Sequence, residues 1–403
     1  MSAATEENLF SIPAEFNDLT PEWLTSALQK RGLLTTDTVE GVRVEQIGEG
    51  EGFMCIVARL HLNYCGNVDN APPTMIVKLP SLLPGNRMMG ELIGAYWREI
   101  HLYEELTGNM AINTPKVYYS DLTPDPMRPR INMIMKVVEL MPAWIVDKVM
   151  SGSKDIVNNS PHRYVIMIED LAPAVPGDQL NGASVERCKQ VLSMAATLHA
   201  EFWQHPILDK TYWITDPRIT FRSRHQMFLE ARPAFLARFA SHLTEHEHKL
   251  LSWFDEHGVK FQKQYHKEAP STLRHGDFRL DNIFFEEGSD KVILADWQLS
   301  SRGPAAEEVA YLLSGALDVA ATDADEEALL AHYHSELVAA GITDYDYQQF
   351  QKDYAKGMLL MLGVHGAATS DIDVGEERGD ELMKIWLDRT IVRLKKIQPE
   401  MFE

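Results

Sequence analysis

Apolar and polar positions change period along this chain, short alternating runs giving way to spacings of three and four. Leu19-Thr20-Pro21-Glu22-Trp23 offers a capping Thr, a Pro at the first helical position and a Glu in the first turn. It predicts a short helix to Arg31, ended by Gly32. Residues 42–47 alternate and predict a strand, and residues 55–64, 74–80, 116–120 and 163–168 are further β-rich runs. Among them, residues 91–106 place Leu92, Tyr96, Glu99, Tyr103 and Leu106 on one face of a helix. Beyond Leu171 the helical period takes over. Ser184 caps a helix to about Gln204 with Val185, Leu192, Ala195, Leu198 and His199 on one face, and residues 305–396 hold several more, including 326–340 and 381–395. One exception stands in this helical part. Ile283-Phe284-Phe285 and Val292-Ile293-Leu294-Ala295 flank a polar turn containing Gly288 and predict a hairpin.

Two charges break the apolar patterns. Lys78 lies inside the run Thr74 to Pro80, where a lone charge is costly unless paired. Glu99 interrupts the apolar helix stripe and so faces inward. A Lys–Glu pair of this kind holds nucleotide phosphates in protein kinases, whereas the plainer reading is two unrelated charges reaching outward along their stems. Gly48, Gly50 and Gly52 alternate in Gly48-Glu49-Gly50-Glu51-Gly52-Phe53 between two strands, where bare backbone amides can approach a phosphate closely. An ordinary glycine-rich hairpin has the same composition. The run Glu169-Asp170-Leu171 ends a strand and is the predicted hinge, with backbone groups of Glu169 and Leu171 available to an adenine edge.

The most specific chemistry lies at His275-Gly276-Asp277-Phe278-Arg279-Leu280-Asp281-Asn282. An Asp followed by an Asn after four residues is the spacing of a kinase catalytic loop, in which the Asp takes the proton of the attacking hydroxyl and the Asn ligates magnesium. A hairpin returns the chain to its start, so Asn282 and Asp296 are expected side by side as oxygen ligands for magnesium. Arg279 and Asp281 read first as braces of this loop, with contact from Arg279 to substrate or phosphate as the second reading. His199 reads as a satisfied core histidine.

Composition narrows the class. A chain of 403 residues is long for one core and predicts two lobes. A net charge of -21 argues against a nucleic-acid surface, which needs an excess of Lys and Arg. Spread-out acidity serves solubility first and a cationic substrate second. Cys55, Cys65 and Cys188 match neither a disulfide framework nor zinc spacing, and no apolar run approaches the roughly 20 residues of a membrane span. A soluble cytoplasmic protein is expected. Residues 121–162 carry Met133, Met135, Met141, Trp144 and Met150, adaptable side chains that suit a lid, a homodimer contact or, more plainly, an insertion packed on the small lobe. The acidic run Asp371, Asp373, Glu376, Glu377, Asp380 and Glu381 suits a cation or a solvated loop equally.

The run from His275 to Asn282, with Asp296-Trp297-Gln298 and Thr197-Leu198-His199-Ala200-Glu201-Phe202-Trp203, resembles the aminoglycoside phosphotransferase and choline kinase superfamily. Gly48 to Phe53, Ile76-Val77-Lys78-Leu79-Pro80 and Met167-Ile168-Glu169-Asp170-Leu171 resemble its ecdysteroid-kinase-like branch, while the catalytic loop is similar to the phosphotransferase domains that animals fuse to acyl-CoA dehydrogenases. The resemblance covers roughly residues 40–315. It implies an α+β, two-lobed protein-kinase-like fold with a helical extension over 1–40, a β-rich N-lobe over 41–170 that includes the insertion 121–162, and a helical C-lobe over 171–403. It implies transfer of phosphate from ATP, with Mg2+, to a small-molecule hydroxyl: Asp277 as base, Asn282 and Asp296 on the metal, Lys78 on phosphate and Glu99 as its partner. Two departures stand out, the length of 121–162 and Glu308 where relatives often carry Asp.

Three rivals remain. A protein kinase calls for Arg before the catalytic Asp and an Ala-Pro-Glu motif, and here Gly276 stands instead. A nucleotide-binding pseudokinase or regulatory module lacks a catalytic part, whereas all are present. A metal hydrolase built on His275 and Asp277 needs further ligands. For the acceptor, the insertion and the ecdysteroid-kinase-like front favour an apolar or steroid-like alcohol over an aminoglycoside or choline-like amino-alcohol.

Overall fold

A computed structural model describes residues 11–47, 54–66, 68, 71–142, 162–371 and 376–402; the side chains of 366–378 and 380 are outside it. Gly48, Gly50 and Gly52 therefore lie outside the described residues, as do Trp144, Met150 and Asp373 of the acidic run, along with the side chains of Asp371, Glu376, Glu377 and Asp380. The chain divides into two compact units, the first made of Met1–Asn109, Thr114–Arg128 and Pro142–Ala172, the second of Met110–Asn113, Pro129–Met141 and Pro173–Glu403.

The first unit starts with helix α1 (Pro21–Lys30), whose Thr20 hydroxyl accepts from the Trp23 N–H as the sequence predicts. Strands β1 (Thr38–Ile47), β2 (Cys55–Cys65) and β3 (Thr74–Pro80) follow. β1 begins four residues before the expected Val42. Those residues pair with the far end of β2 across a bulge between Val39 and Gly41, and the Val39 N–H also donates to Thr25 Oγ1 at 2.9 Å. Cross-strand partners decide what the short alternation could not. β4 (Val117–Leu122) and β5 (Tyr164–Glu169) complete an antiparallel sheet of order β1-β2-β3-β5-β4. Trp23, Leu24 and Leu28 of α1 join Leu60, Met75, Val77, Tyr119 and Met167 in its buried core. Each such side chain contributes about 1.5–3 kcal/mol on burial.

The helix expected over 91–106 is two helices, α2 (Pro84–Leu92) and α3 (Ala95–Glu105). The break is at Gly94, which adopts φ +73° while its N–H donates to the Glu91 carbonyl and its carbonyl accepts from the Arg98 N–H. The apolar stripe runs across the break, which hid it. A Cβ on Gly94 would also come within 2.8 Å of Arg128 Nη1. Gly94→Ala is therefore expected to lower stability by about 1–2 kcal/mol, read as a lower urea midpoint with unchanged slope.

The second unit is helical with two small sheets. Its first element, α4 (Ile131–Val138), comes from the insertion. Asn132 donates to the Tyr212 carbonyl at 3.0 Å, and the Glu139 carboxylate accepts the Arg222 and Ser223 N–H groups, so residues 129–141 are tied to the second unit rather than to the small β-rich one. Helices α5 (Val185–Glu201), α6 (Phe221–Phe239) and α7 (Glu245–Glu268) lead to β7 (Ser271–Arg274), after the short β6 (Val175–Pro176). The predicted hairpin is β8 (Ile283–Phe285) and β9 (Val292–Leu294), and β10 (Ser301–Pro304) pairs back with β7. Helices α8 (Ala305–Ala316), α9 (Asp323–Ala339), α10 (Tyr347–Asp371) and α11 (Glu376–Leu394) close the unit. Arg389 on α11 donates to the carbonyls of Gln179, Leu180 and Gly315, holding three chain segments together. Among the described residues, no helix is long and apolar enough to cross a membrane.

Candidate active site

In the first unit, the lone charge of β3 meets the one that interrupts the α3 stripe. Lys78 Nζ donates to Glu99 Oε1 at 2.7 Å, with the residues 7% and 0% exposed. The second Glu99 oxygen accepts the Tyr164 hydroxyl. A buried pair gains little over apolar residues, but losing one partner leaves an uncompensated charge at a cost of about 3–5 kcal/mol. Glu169 ends β5 with its N–H on the Lys116 carbonyl at 2.8 Å and its carboxylate on the Lys116 N–H at 3.1 Å. Its backbone N–H is thus used by the sheet. Asp170 beside it takes a two-pronged contact from Arg59 at 2.7 and 3.2 Å; burial works against its charge, but Arg59, the Ala172 N–H and Thr74 together hold its carboxyl below the usual range.

In the second unit, the residues from His275 to Asn282 and Asp296 are brought together by the hairpin. β8 and β9 pair Ile283 with Leu294, and the Ala295 N–H donates to the Asn282 carbonyl at 3.0 Å. The ladder thus runs one pair past the strands, and Asp296 follows directly on the partner of Asn282. Asp296 has φ +68°, an uncommon left-handed conformation for a residue with a side chain, of the kind that gathers at functional sites. Asn282 Nδ2 donates to the Asp277 carbonyl oxygen at 2.9 Å and to Asp277 Oδ2 at 3.0 Å. With the amide nitrogen on Asp277, the amide oxygen faces away from it. An Asn oxygen and an Asp carboxylate form the donor set of a hard cation, so these residues fit magnesium.

The loop is fixed from beneath by residues on α8. Glu308 accepts the His275 N–H at 3.1 Å and the Gly276 N–H at 2.8 Å, and pairs with His199 Nε2 at 3.0 Å. His199 is fully buried and its Nδ1 meets the Tyr333 hydroxyl at 2.7 Å, so it is the satisfied core histidine expected. The departure from Asp to Glu keeps a brace under the loop. Gly276 sits at φ +85°, and a Cβ there would overlap the Leu299 carbonyl oxygen. No arginine fits at this position. Both ring nitrogens of His275 are engaged, Nε2 with the Ala295 carbonyl at 2.9 Å and Nδ1 with the Asp277 N–H at 3.3 Å, while Trp297 packs edge-on at 4.8 Å. A hydrolytic metal held by His275 would displace these contacts, which counts against that rival.

Arg279 pairs with Asp281 at 2.9 Å, and Asp281 also accepts the Gln179 N–H at 3.1 Å, the bracing role expected. Burial alone would lower the Arg279 guanidinium, but Asp277, Asp281 and Asp296 outweigh it and its pKa rises. The contact that sequence reasoning missed is Tyr311, whose hydroxyl donates to Asp277 Oδ1 at 2.8 Å from α8. Nothing in the local pattern around residue 277 points 34 positions downstream.

Burial works against the charged forms of Glu308 and Glu307, yet both are held below the usual carboxylate range, Glu308 by His199 and the loop N–H groups, Glu307 by Arg274 at 2.6 Å and His266 at 3.2 Å. A depressed carboxyl stabilises the fold above its unfolded pKa of about 4.3, and this is lost as pH falls through the lower folded value. The urea midpoint is therefore expected to fall as pH drops below about 4. A midpoint that stayed level or rose there would contradict the assignment.

The family model described as the ecdysteroid kinase-like family matches residues 49–343. In fold the chain is similar to an aminoglycoside 2'-phosphotransferase mutant solved with GDP, at 12% identity over 93% of this chain and 99% of that one, with a TM-score of 0.51. An ethanolamine kinase from Plasmodium vivax (12% identity, 98% and 93% covered, TM-score 0.49) and the choline kinase LicA from Streptococcus pneumoniae (14%, 88% and 94%, 0.47) are more distantly similar. Comparison with curated protein sequences finds no match. The family match spans well over half of the sequence and includes Lys78, Glu99 and the whole run from His275 to Asp296, so this chain belongs to the ecdysteroid kinase-like family and is a small-molecule phosphotransferase.

Proposed function

We propose that the chain moves the γ-phosphate of ATP, with magnesium, to the hydroxyl of an apolar, steroid-like alcohol. The observation that supports this most is the arrangement at Asp277: a carboxylate held by Asn282 and Tyr311 on a loop whose backbone is anchored by Glu308. In this reading Asp277 orients the acceptor hydroxyl and takes its proton, a contribution of about 10²- to 10⁴-fold, while fixing the reactants in place supplies about 7–11 kcal/mol of barrier reduction. Asn282 and Asp296 would hold magnesium, and Lys78, kept in place by Glu99, would bind phosphate. Magnesium, when bound there, offsets the charge that builds on the β- and γ-oxygens. Gly48, Gly50 and Gly52 would cover the phosphates, and Leu171 would lie by the base. A cytoplasmic setting fits three cysteines that remain thiols.

The apolar preference rests on α4 and the residues after it. Met133, Val137 and Leu140 lie at spacings of four and three and are exposed, Leu140 at 84%. Such a stripe in water costs solubility and suits an apolar ligand. The reading is tested by ADP release with Mg-ATP and a panel of hydroxylated sterols, amino-alcohols and aminoglycosides. Turnover on sterol-like alcohols is the expected result. Turnover confined to aminoglycosides or choline-like amines would overturn the acceptor assignment, and thermal stabilisation by Mg-ATP without turnover on any acceptor would favour a pseudokinase.

A further inference from the structure

Helix α8 faces the catalytic loop with two side chains one turn apart. Glu308 holds the loop backbone; Tyr311 reaches the carboxylate itself. The Tyr311 hydroxyl lies 2.8 Å from Asp277 Oδ1, and Asn282 Nδ2 lies 3.0 Å from Oδ2, so each oxygen of the base has its own donor. A carboxylate held at one oxygen only can turn about its last torsion, a broad and shallow one. Held at both, it keeps one plane. The phenol is itself fixed, since the Trp386 ring packs against it at 5.1 Å and 70°, and Trp386 Nε1 donates to Ser314 Oγ on the same helix at 3.2 Å. Burial, and then the neighbouring Asp277, pushes the Tyr311 hydroxyl well above its ordinary range, so it remains a donor at any working pH.

We propose that Tyr311 is a positioning residue for phosphoryl transfer: its hydroxyl fixes the plane of the Asp277 carboxylate so that the base meets the acceptor hydroxyl in line. This rests on the reading of Asp277 as the base. Proton transfer falls steeply with misalignment, and a small error in placing reacting groups costs orders of magnitude in rate. The same geometry explains why the residue is a tyrosine. A phenylalanine would fill the space against Trp386 equally well and leave Asp277 Oδ1 without this donor.

The test compares Tyr311→Phe with a matched control. Tyr345→Phe removes another phenol that donates to a buried carboxylate, Asp353 Oδ2 at 2.9 Å, away from the loop. Tyr311→Phe is expected to lower kcat about 10- to 100-fold, the range of one hydrogen bond to a charged group, with KM for Mg-ATP and the melting temperature little changed. Tyr345→Phe is expected to lower the melting temperature and leave kcat alone. In an Asp277→Asn background, Tyr311→Phe should cost nothing more, because the carboxylate it orients is already gone. Wild-type kcat in Tyr311→Phe, or a full additional loss in the double variant, overturns the proposal while Asp277 stands. Wild-type turnover in Asp277→Asn alone removes the base assignment and the proposal with it.

Discussion

The Asp277→Asn variant is expected to turn over about 10²- to 10⁴-fold more slowly than the wild-type chain and still to be stabilised thermally by Mg-ATP. The substitution keeps the side chain's shape and an oxygen for the Tyr311 hydroxyl, so the loop has little reason to rearrange. What it removes is the capacity to take a proton. The loss should therefore fall on kcat with KM for the nucleotide little altered, the pattern of an interaction made in the transition state. Steady-state ADP release and a melting curve with and without Mg-ATP measure the two halves. If turnover persisted at the wild-type rate, the base would have to lie elsewhere.

Glu308→Ala should have the largest effect on stability. The carboxylate takes two backbone N–H groups of the catalytic loop and one nitrogen of a fully buried histidine. Truncation leaves all three facing a cavity. Each buried group without a partner costs about 1–3 kcal/mol, and breaking a buried network by removing one member typically costs about 3–5 kcal/mol in total. Urea unfolding followed by fluorescence should show a loss in that range, and activity should fall as well, because His275 and Gly276, which lead into Asp277, lose their support. A change of less than about 1 kcal/mol would mean that the loop is held by its other contacts. Glu308→Gln, which keeps one accepting oxygen, should lie between the two.

Much of this arrangement was legible in the sequence where a residue violates its own local pattern. Lys78 in a β-rich run and Glu99 in an apolar stripe each call for a partner, and they find one another. The hairpin could be read because it is short and its turn contains glycine, which also fixed where Asn282 and Asp296 fall. What escaped depends on contacts distant in sequence or on single backbone angles. Gly94 divides a helix without disturbing the apolar spacing. The first residues of β1 have only one buried side chain, and their strand character comes from pairing with β2. Tyr311 looks like any aromatic position of an amphipathic helix until the helix is set against the loop. Glu169 shows the converse: its place at the end of a strand was legible, but not that its N–H serves the neighbouring strand.

The order of the five-stranded sheet bears on how the chain is synthesised. β5 is the last of its strands to leave the ribosome and is seated between β3 and β4, both made well before it. Until residue 169 has emerged, two partners wait with unpaired edges, and unpaired edges recruit other chains. Part of that interval is filled by residues 129–141, which belong to the second unit, itself unfinished at that stage. Neither unit is a continuous stretch of the gene. A nascent chain stalled short of β5 should be a client of chaperones, and a truncation placed after β4 should yield aggregates where a cut at a conventional domain boundary would yield a soluble fragment.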